Sequence, residues 1–185
     1  MKIQLAADLQ IDSIVDGEGI RTVIWTQGCP HHCPGCHNPE THDFNSGASI
    51  ELDYVKEKIS NLKNQDGITF SGGDPFVQPK ACAEIAKFAK SKDLNIWCYT
   101  GYLFENLLKM SHANEDIANF LTYIDVLVDG KFEIGKKSLS TAYRGSTNQR
   151  IIDVQESLKH KKTILVEKYI KKEESVSRKK EGIFV

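Results

Sequence analysis

The chain has 185 residues, of which 40% are hydrophobic and 26% are charged, so it is long enough to form one domain with its own core. Its formal net charge of −1 provides no broad basic surface for phosphate backbones, so nucleic acid is not an expected partner. No apolar run approaches the roughly 20 residues that cross a bilayer, which argues against a membrane protein.

Apolar strand-like runs alternate with helical patterns, which predicts an α/β fold with a mostly parallel sheet. Strands are predicted at residues 21–27, 68–70, 94–98 and 124–128, with a further candidate at residues 164–166. Helices are predicted at residues 52–62, from residue 79, at residues 103–110 and at residues 115–123. We expect one domain over residues 1–170, followed by a charged, solvated tail over residues 171–185.

Three cysteines follow the first predicted strand with the spacing C-x3-C-x2-C, namely Cys29, Cys33 and Cys36. Thiolates select zinc or iron-sulfur clusters, and the prolines and glycine among them keep this stretch out of an α-helix. A 4Fe-4S cluster usually has four cysteine ligands, so three leave one iron open for chemistry. The pattern favours such a cluster. A zinc-binding interaction module stays open as an alternative, with a histidine as the fourth ligand, drawn from His31, His32 and His37.

The other two cysteines, Cys82 on a predicted helix and Cys98 at the end of a predicted strand, are expected to be small buried packing residues. Two cysteines cannot build a second four-cysteine cluster. With five cysteines and no apolar leader at residues 1–10, the chain is expected in a reducing cytoplasm.

Each of the four main predicted strands ends in a cysteine-rich, glycine-rich or charged segment. The carboxyl ends of parallel strands share one face, so we expect these segments to form one site. Gly72 and Gly73 leave peptide groups open to a ligand, and Asp74 adds a carboxylate that suits an ammonium group. We expect the missing side chain of Gly73 to make room for that ligand. Asp129 and Lys131 are candidates for either cofactor contacts or a surface ion pair.

Five segments in consistent order resemble the anaerobic ribonucleoside-triphosphate reductase activating proteins, which are radical S-adenosylmethionine enzymes. They are GCPHHCPGCHNP (28–39), TFSGGDPF (69–76), WCYTGY (97–102), DVLVDGKF (125–132) and YRGSTNQRIIDV (143–154). The resemblance covers about residues 3–166, and DGEGIRTV (16–23) also resembles the wider group of glycyl-radical activating enzymes. It implies a partial, open β/α barrel with a mostly parallel sheet.

The resemblance also implies which residues bind the cofactors. Cys29, Cys33 and Cys36 would ligate one 4Fe-4S cluster per chain, and its open iron would bind the methionine moiety of S-adenosylmethionine. Two further groups of residues would border that cofactor: Gly35, Cys36 and His37 at the adenine, and Gly72, Gly73 and Asp74 at the methionine amino group.

The implied activity is reductive cleavage of S-adenosylmethionine to generate a glycyl radical on anaerobic ribonucleoside-triphosphate reductase. A low-potential electron donor such as flavodoxin would supply the electron. Activation of another glycyl-radical enzyme, such as pyruvate formate-lyase, remains the alternative within this family. Because the chain is short, we expect the site to have no lid of its own, so that the partner completes it.

Overall fold

An eight-stranded sheet organises residues 1–170, the part of the chain that the computed structural model describes. Its strands are β1 (Lys2–Leu5), β2 (Gln10–Ser13), β3 (Arg21–Thr26), β4 (Ala48–Glu51), β5 (Gly67–Gly72), β6 (Asn95–Tyr99), β7 (Val126–Asp129) and β8 (Arg150–Asp153). They lie in the order β4-β1-β3-β5-β6-β7-β8, with β2 paired to β3 beside this path. The central strands β3, β5, β6 and β7 are parallel, whereas the outer strands join antiparallel. The predicted α/β class is confirmed, and the parallel part is the centre of an open sheet.

Within residues 1–160, the α-helices that accompany the sheet are α1 (Leu52–Ser60), α2 (Pro79–Lys90), α3 (Phe104–Ser111), α4 (Glu115–Tyr123) and α5 (Val154–His160). α2 starts with Pro79, whose missing N–H needs no partner at a first helical position. α4 starts after Asn114, whose side chain accepts hydrogen bonds from the backbone of Asp116 and Ile117. Within residues 1–170, no helix combines the length and the apolar character needed to cross a membrane.

The hydrophobic core lies between these helices and the central strands. Phe70 of β5 is fully buried, and its ring lies 5.2 Å from that of Phe120 on α4. Phe76, shortly after β5, packs against the same Phe120 ring, with ring centroids 5.1 Å apart. Such aromatic pairs add about 0.5–1.5 kcal/mol beyond the area that they bury. The core therefore fixes the carboxyl end of β5 firmly against α4.

A buried arginine ties together the amino-terminal ends of the central strands. Arg21 begins β3 and is 1% exposed. Its guanidinium donates to four oxygens, those of Thr69 Oγ1 at 2.7 Å and the carbonyls of Ile68 at 2.7 Å, Asn95 at 2.8 Å and Glu18 at 2.9 Å. Burial lowers the pKa of Arg21 to about 10, so it stays charged at neutral pH. This arrangement sets the register at the edge opposite the candidate site.

The prediction of a strand at residues 164–166 is wrong. Leu165 forms a single antiparallel bridge with Ile152 of β8, and the chain then leaves the sheet. The other four predicted strands correspond to β3, β5, β6 and β7, with ends that agree to within two residues. The predicted charged tail, residues 171–185, lies outside the described residues.

Candidate active site

A cavity of about 580 Å³ lies where the carboxyl ends of the parallel strands meet. The strand register brings these ends to one edge, since Thr26 pairs with Gly72, Phe70 with Cys98 and Tyr99 with Val128. The cavity is lined by parts of all four predicted segments, including the cysteines, residues 71–74, residues 99–101 and Gly130. The predicted convergence on one site is confirmed. The volume is in the range of about 300–1,000 Å³ that small-molecule sites occupy.

The cysteine loop, residues 28–39, presents Cys29, Cys33 and Cys36 to this cavity, and each of the three is partly exposed. The loop is anchored to the chain that follows it, because the amide of Gly28 donates to the carbonyl of Thr41 at 2.9 Å. Burial raises the pKa of the Cys29 thiol. Metal ligation requires the thiolate, so binding at this position would release a proton.

The donor set fits an iron-sulfur cluster. Among residues 1–170, no three Cys, His, Asp or Glu side chains lie close enough together to hold a single metal ion. In a 4Fe-4S cluster each thiolate binds a different iron, so the requirement is for three thiols around a shared cavity, as Cys29, Cys33 and Cys36 provide. The amide of Asn38 lies 3.4 Å from Cys36 Sγ and donates to it, and hydrogen bonds to sulfur tune the potential of a cluster.

The glycines after β5 allow two backbone segments to approach each other closely. Gly72 has φ +98°, and a Cβ there would lie 2.7 Å from the carbonyl oxygen of Thr26. A Cβ at Gly73 would lie 2.3 Å from the carbonyl oxygen of Gly28. The amides of Gly73 and Asp74 donate to these same two carbonyls at 2.7 and 2.9 Å. The missing side chain of Gly73 therefore makes room for the cysteine loop, and not for a ligand as the sequence predicts.

Asp74 is buried, with 1% exposure, and its carboxylate accepts four hydrogen bonds from within the protein. Oδ1 accepts from the amide of Phe76 at 3.0 Å. Oδ2 accepts from three donors: Thr100 Oγ1 at 2.8 Å, the amide of Gly101 at 3.0 Å and His31 Nε2 at 2.7 Å. The sequence predicts His31 only as a possible zinc ligand and gives Thr100 no separate role, because nothing in their spacing indicates that they meet at Asp74.

The loop between β7 and β8, residues 130–149, forms another wall of the cavity through ten residues, namely Gly130, Phe132, Lys137, Ser138, Leu139, Thr141, Tyr143, Arg144, Gly145 and Gln149. The ring of His37 lies 4.9 Å from that of Phe132, so the cysteine loop and the β7–β8 loop touch. Gly35 has φ +73°, and a Cβ there would lie 2.7 Å from Ile134 Cδ1. Cys36 and His37 line the cavity, whereas Gly35 is not part of the lining and lies against Ile134 of the β7–β8 loop.

Gln149 holds the base of the β7–β8 loop. Its side-chain oxygen accepts from the amides of Gly145 at 2.9 Å and Ser146 at 3.2 Å. Its side-chain nitrogen donates to the carbonyl of Gly130 at 3.0 Å. The two ends of the loop are thereby joined across the sheet edge, so the loop forms a fixed side wall of the cavity.

Asp129 is fully buried and belongs to an ion-pair network at the end of β7. Arg150 donates to Asp129 Oδ1 at 2.9 Å and to both oxygens of Glu105 at 2.8 and 3.0 Å, and the amide of Phe104 donates to Asp129 Oδ2 at 2.8 Å. Hydrogen bonding from Arg150 lowers the pKa of Glu105 to about 2. Asp129 is therefore a buried and paired carboxylate, and not part of a surface ion pair. Lys131 is exposed.

The two remaining cysteines are confirmed as packing residues. Cys82 on α2 and Cys98 on β6 are fully buried in the hydrophobic core. Burial raises the pKa of both thiols, which keeps them protonated. Neither lines the cavity, so the three cysteines of the loop are the thiols that face it among the described residues.

Comparison with known proteins identifies the family. A family model described as a 4Fe-4S single cluster domain matches residues 15–152. The chain is 36% identical over 147 residues to the anaerobic ribonucleoside-triphosphate reductase-activating protein of Pasteurella multocida, which covers 75% of this chain and 90% of that protein. It is also 36% identical over 146 residues to the protein of the same name from Enterobacteria phage T4, which covers 74% of this chain and 86% of the relative. Among solved structures, QueE from Escherichia coli matches with a TM-score of 0.45 and 12% identity, over 55% of this chain and 53% of that one. The sequence matches show that the chain belongs to the family of anaerobic ribonucleoside-triphosphate reductase-activating proteins.

Proposed function

We propose that this protein is an activating enzyme that uses a 4Fe-4S cluster to cleave S-adenosylmethionine reductively and so generates a glycyl radical on anaerobic ribonucleoside-triphosphate reductase. The observation that carries the proposal is the shared cavity of three thiols and the glycine-rich end of β5, in a chain whose relatives carry that name. The reaction is a one-electron oxidoreduction, so the enzyme would be an oxidoreductase of the radical S-adenosylmethionine type.

Each part of the cavity wall has a task in this reaction. Cys29, Cys33 and Cys36 would hold one cluster per chain, and the cluster with its bound cofactor supplies the one-electron chemistry. The backbone of Gly72 and Gly73 would receive the methionine amino group, beside the carboxylate of Asp74. Gly35, Cys36 and His37 would border the adenine. Gly35 would contribute through the close packing that its missing side chain allows.

The cavity walls would also keep water away from the reacting groups. The β7–β8 loop contributes the aromatic rings of Phe132 and Tyr143 to the wall, and Tyr99 comes from the end of β6. Apolar walls exclude water and strengthen the electrostatic interactions inside a site. The glycine that receives the radical belongs to the partner and must reach this cavity from outside.

We assign the activity to residues 1–170 as one radical S-adenosylmethionine domain, with residues 171–185 as a separate charged tail. A low-potential donor such as flavodoxin would deliver the electron. We place the protein in the cytoplasm, where thiols stay reduced and free to bind iron.

The test is radical formation on the partner. After anaerobic reconstitution, the protein with S-adenosylmethionine and a strong reductant should produce a stable glycyl radical on the cognate reductase, observed by electron paramagnetic resonance. A reductase whose target glycine is replaced by alanine should give no such signal. Cys33→Ala should lose both the cluster and the radical, and Cys82→Ala should keep both because its thiol is buried in the core.

Two outcomes would contradict the proposal, and each would favour a different function. Stoichiometric zinc without iron in the purified protein would favour the zinc-binding interaction module. A radical that forms on pyruvate formate-lyase and never on the reductase would favour an activase of another glycyl-radical enzyme.

A further inference from the structure

We propose that His31 is a positioning residue that locks the cysteine loop to the ends of β5 and β6 through Asp74 and Thr100. The lock would set the position of the cluster relative to the backbone of Gly72 and Gly73, where the methionine amino group is expected. This inference rests on the proposed function, because it concerns the same site.

The ring of His31 is held on several sides. His31 lies between Cys29 and Cys33, its side chain is 7% exposed, and its Nε2 donates to Asp74 Oδ2 at 2.7 Å. A Cβ at Gly101 would lie 2.3 Å from His31 Cδ2, so the chain after β6 packs directly against the imidazole. The ring of Tyr102 meets it edge-on at a centroid distance of 4.5 Å. A histidine packed this closely fixes the three-residue span between two cluster ligands.

Asp74 connects three segments that the sequence keeps apart. His31 reaches it from the cysteine loop, Thr100 and Gly101 from the end of β6, and Phe76 from the chain after β5. Oδ2 accepts from three donors and Oδ1 from one, so the protein itself uses most of the acceptor capacity of this carboxylate. Hydrogen bonds to a carboxylate are about twice as strong as neutral ones. We therefore assign Asp74 to holding the loops together, with the methionine amino group left to the neighbouring backbone.

The position of this lock is important for the chemistry of the site, because it lies between two cysteine ligands and the expected cofactor position. Cys29 and Cys33 lie two residues before and two residues after His31, so a shift of the imidazole moves both ligands. On the other side of Asp74, the amides of Gly73 and Asp74 are bonded to the strand and loop that lead into Cys29. A misplacement of about 1 Å between reacting groups can cost about a hundredfold in rate. The lock should thus affect cofactor binding and orientation more than cluster assembly, which depends on the cysteines.

The experiment compares the same substitution at two adjacent histidines. His31→Asn is too short to reach Asp74, whereas His32→Asn changes an exposed residue whose φ of +47° asparagine tolerates. His31→Gln places an amide nitrogen at nearly the reach of Nε2 and serves as the conservative variant. For each reconstituted protein we would measure iron and sulfide content, equilibrium binding of S-adenosylmethionine, and the cluster spectrum by electron paramagnetic resonance with and without that cofactor.

We expect His31→Asn to keep its iron, to bind S-adenosylmethionine about tenfold more weakly or worse, and to lose most of the spectral change that the cofactor causes. His31→Gln should recover most of both losses, and His32→Asn should match the unmodified protein. Unmodified protein that assembles no cluster or binds no cofactor would instead contradict the proposed function itself. Normal binding and a normal spectral change in His31→Asn would overturn the lock.

Thr100→Val tests the same lock from the β6 side, without altering the cysteine loop. It removes the hydroxyl that donates to Asp74 Oδ2 at 2.8 Å and should weaken cofactor binding in the same direction. Because both residues act through one carboxylate, their effects in the double variant should fall short of the sum of the single effects. Full additivity would mean that His31 and Thr100 act independently, and would overturn the proposal even if one variant folds poorly.

Discussion

At the residue scale, the glycines of the site allow two backbone segments to approach each other closely. The Cβ position of Gly73 points at the carbonyl of Gly28, which directly precedes Cys29. Sequence reasoning identified the glycine pair correctly as a place of close approach but assigned the approaching group to a ligand. A pattern of residue types shows that space is needed, and only the fold shows which atoms use it.

Gly73→Ala should therefore affect the cluster and the cofactor together. The new methyl group would lie 2.3 Å from the Gly28 oxygen, so the start of the cysteine loop must move. We expect several-fold lower iron content after reconstitution, together with weaker binding of S-adenosylmethionine to the clusters that do form. Gly135→Ala is the matched control, because a Cβ there has no neighbour within 4 Å. Full iron content with weakened cofactor binding alone would restore the interpretation that Gly73 makes room for the ligand.

Sequence reasoning predicted the parts of the candidate site in which the chemistry depends on residue type. It did not predict the parts that depend on contacts between residues far apart in the chain. Cys29, Cys33 and Cys36 line the cavity as their spacing predicted, and so do Gly72 and Gly73. His31 was recognisable as a possible ligand, but its partner lies 43 residues away in the chain. Long-range hydrogen bonds of this kind leave no local pattern. The adenine and methionine contacts of these residues remain predictions.

At the scale of secondary-structure elements, an ion pair between the partly exposed Arg150 and the buried Asp129 fastens the antiparallel strand β8 to the parallel part of the sheet. Arg150 of β8 bonds Asp129 of β7 and Glu105 of α3, and Thr163 Oγ1 donates to Glu105 Oε1 at 2.6 Å. Asp129 is fully buried, and its carboxylate accepts hydrogen bonds from Arg150 and from the amide of Phe104. The network lies at the base of the β7–β8 loop and so supports one wall of the cavity.

Arg150→Gln should destabilise the protein by about 3–5 kcal/mol, because it leaves a buried carboxylate without its cation. The free energy of unfolding from denaturant titration measures the effect. Lys90→Gln is a matched control: Lys90 pairs with Asp125 at 2.9 Å, but its side chain is 40% exposed, and such pairs contribute about 0–1 kcal/mol. Equal effects of the two substitutions would show that the Arg150 network adds no more than a surface pair.

The elements that could be predicted are those with a strong apolar pattern. The four central strands are buried on both faces, and α4 covers the predicted residues 115–123. β1, β2, β4 and β8 were missed because none of them has more than two consecutive apolar residues, whereas β7 has three, at residues 126–128. Residues 164–166 are apolar enough to suggest a strand, yet the edge of β8 offers them only one bridge.

At the scale of the whole molecule, the cavity is open on the side where exposed apolar side chains meet it. Leu139 in the β7–β8 loop is 97% exposed and Val15 is 70% exposed, and both line the cavity. The chain thus covers part of its own site, while an apolar margin remains uncovered. In the proposed function, a glycine of the partner would cross this margin to be activated, and apolar contact there would help to exclude water.

Leu139→Asn should therefore weaken activation of the reductase without altering the cofactor chemistry. The leucine contributes apolar surface at the mouth of the cavity, and in residues 1–170 no contact within its own chain covers most of its side chain. We expect unchanged iron content and unchanged affinity for S-adenosylmethionine, with a several-fold lower yield of glycyl radical at limiting reductase. The yield should approach that of the unmodified protein when the reductase is in excess, because a contact used for docking changes apparent affinity before it changes the chemical step.

Ile11→Asn is the control for this prediction, since Ile11 is 57% exposed but lies on β2, away from the cavity wall. It should leave the radical yield unchanged at every reductase concentration. An equal loss in both variants would indicate a general effect of removing exposed apolar surface. A loss for Leu139→Asn that excess reductase does not relieve would place Leu139 in the cofactor chemistry. Only a loss specific to Leu139 and relieved by the reductase supports a partner that completes this cavity from outside.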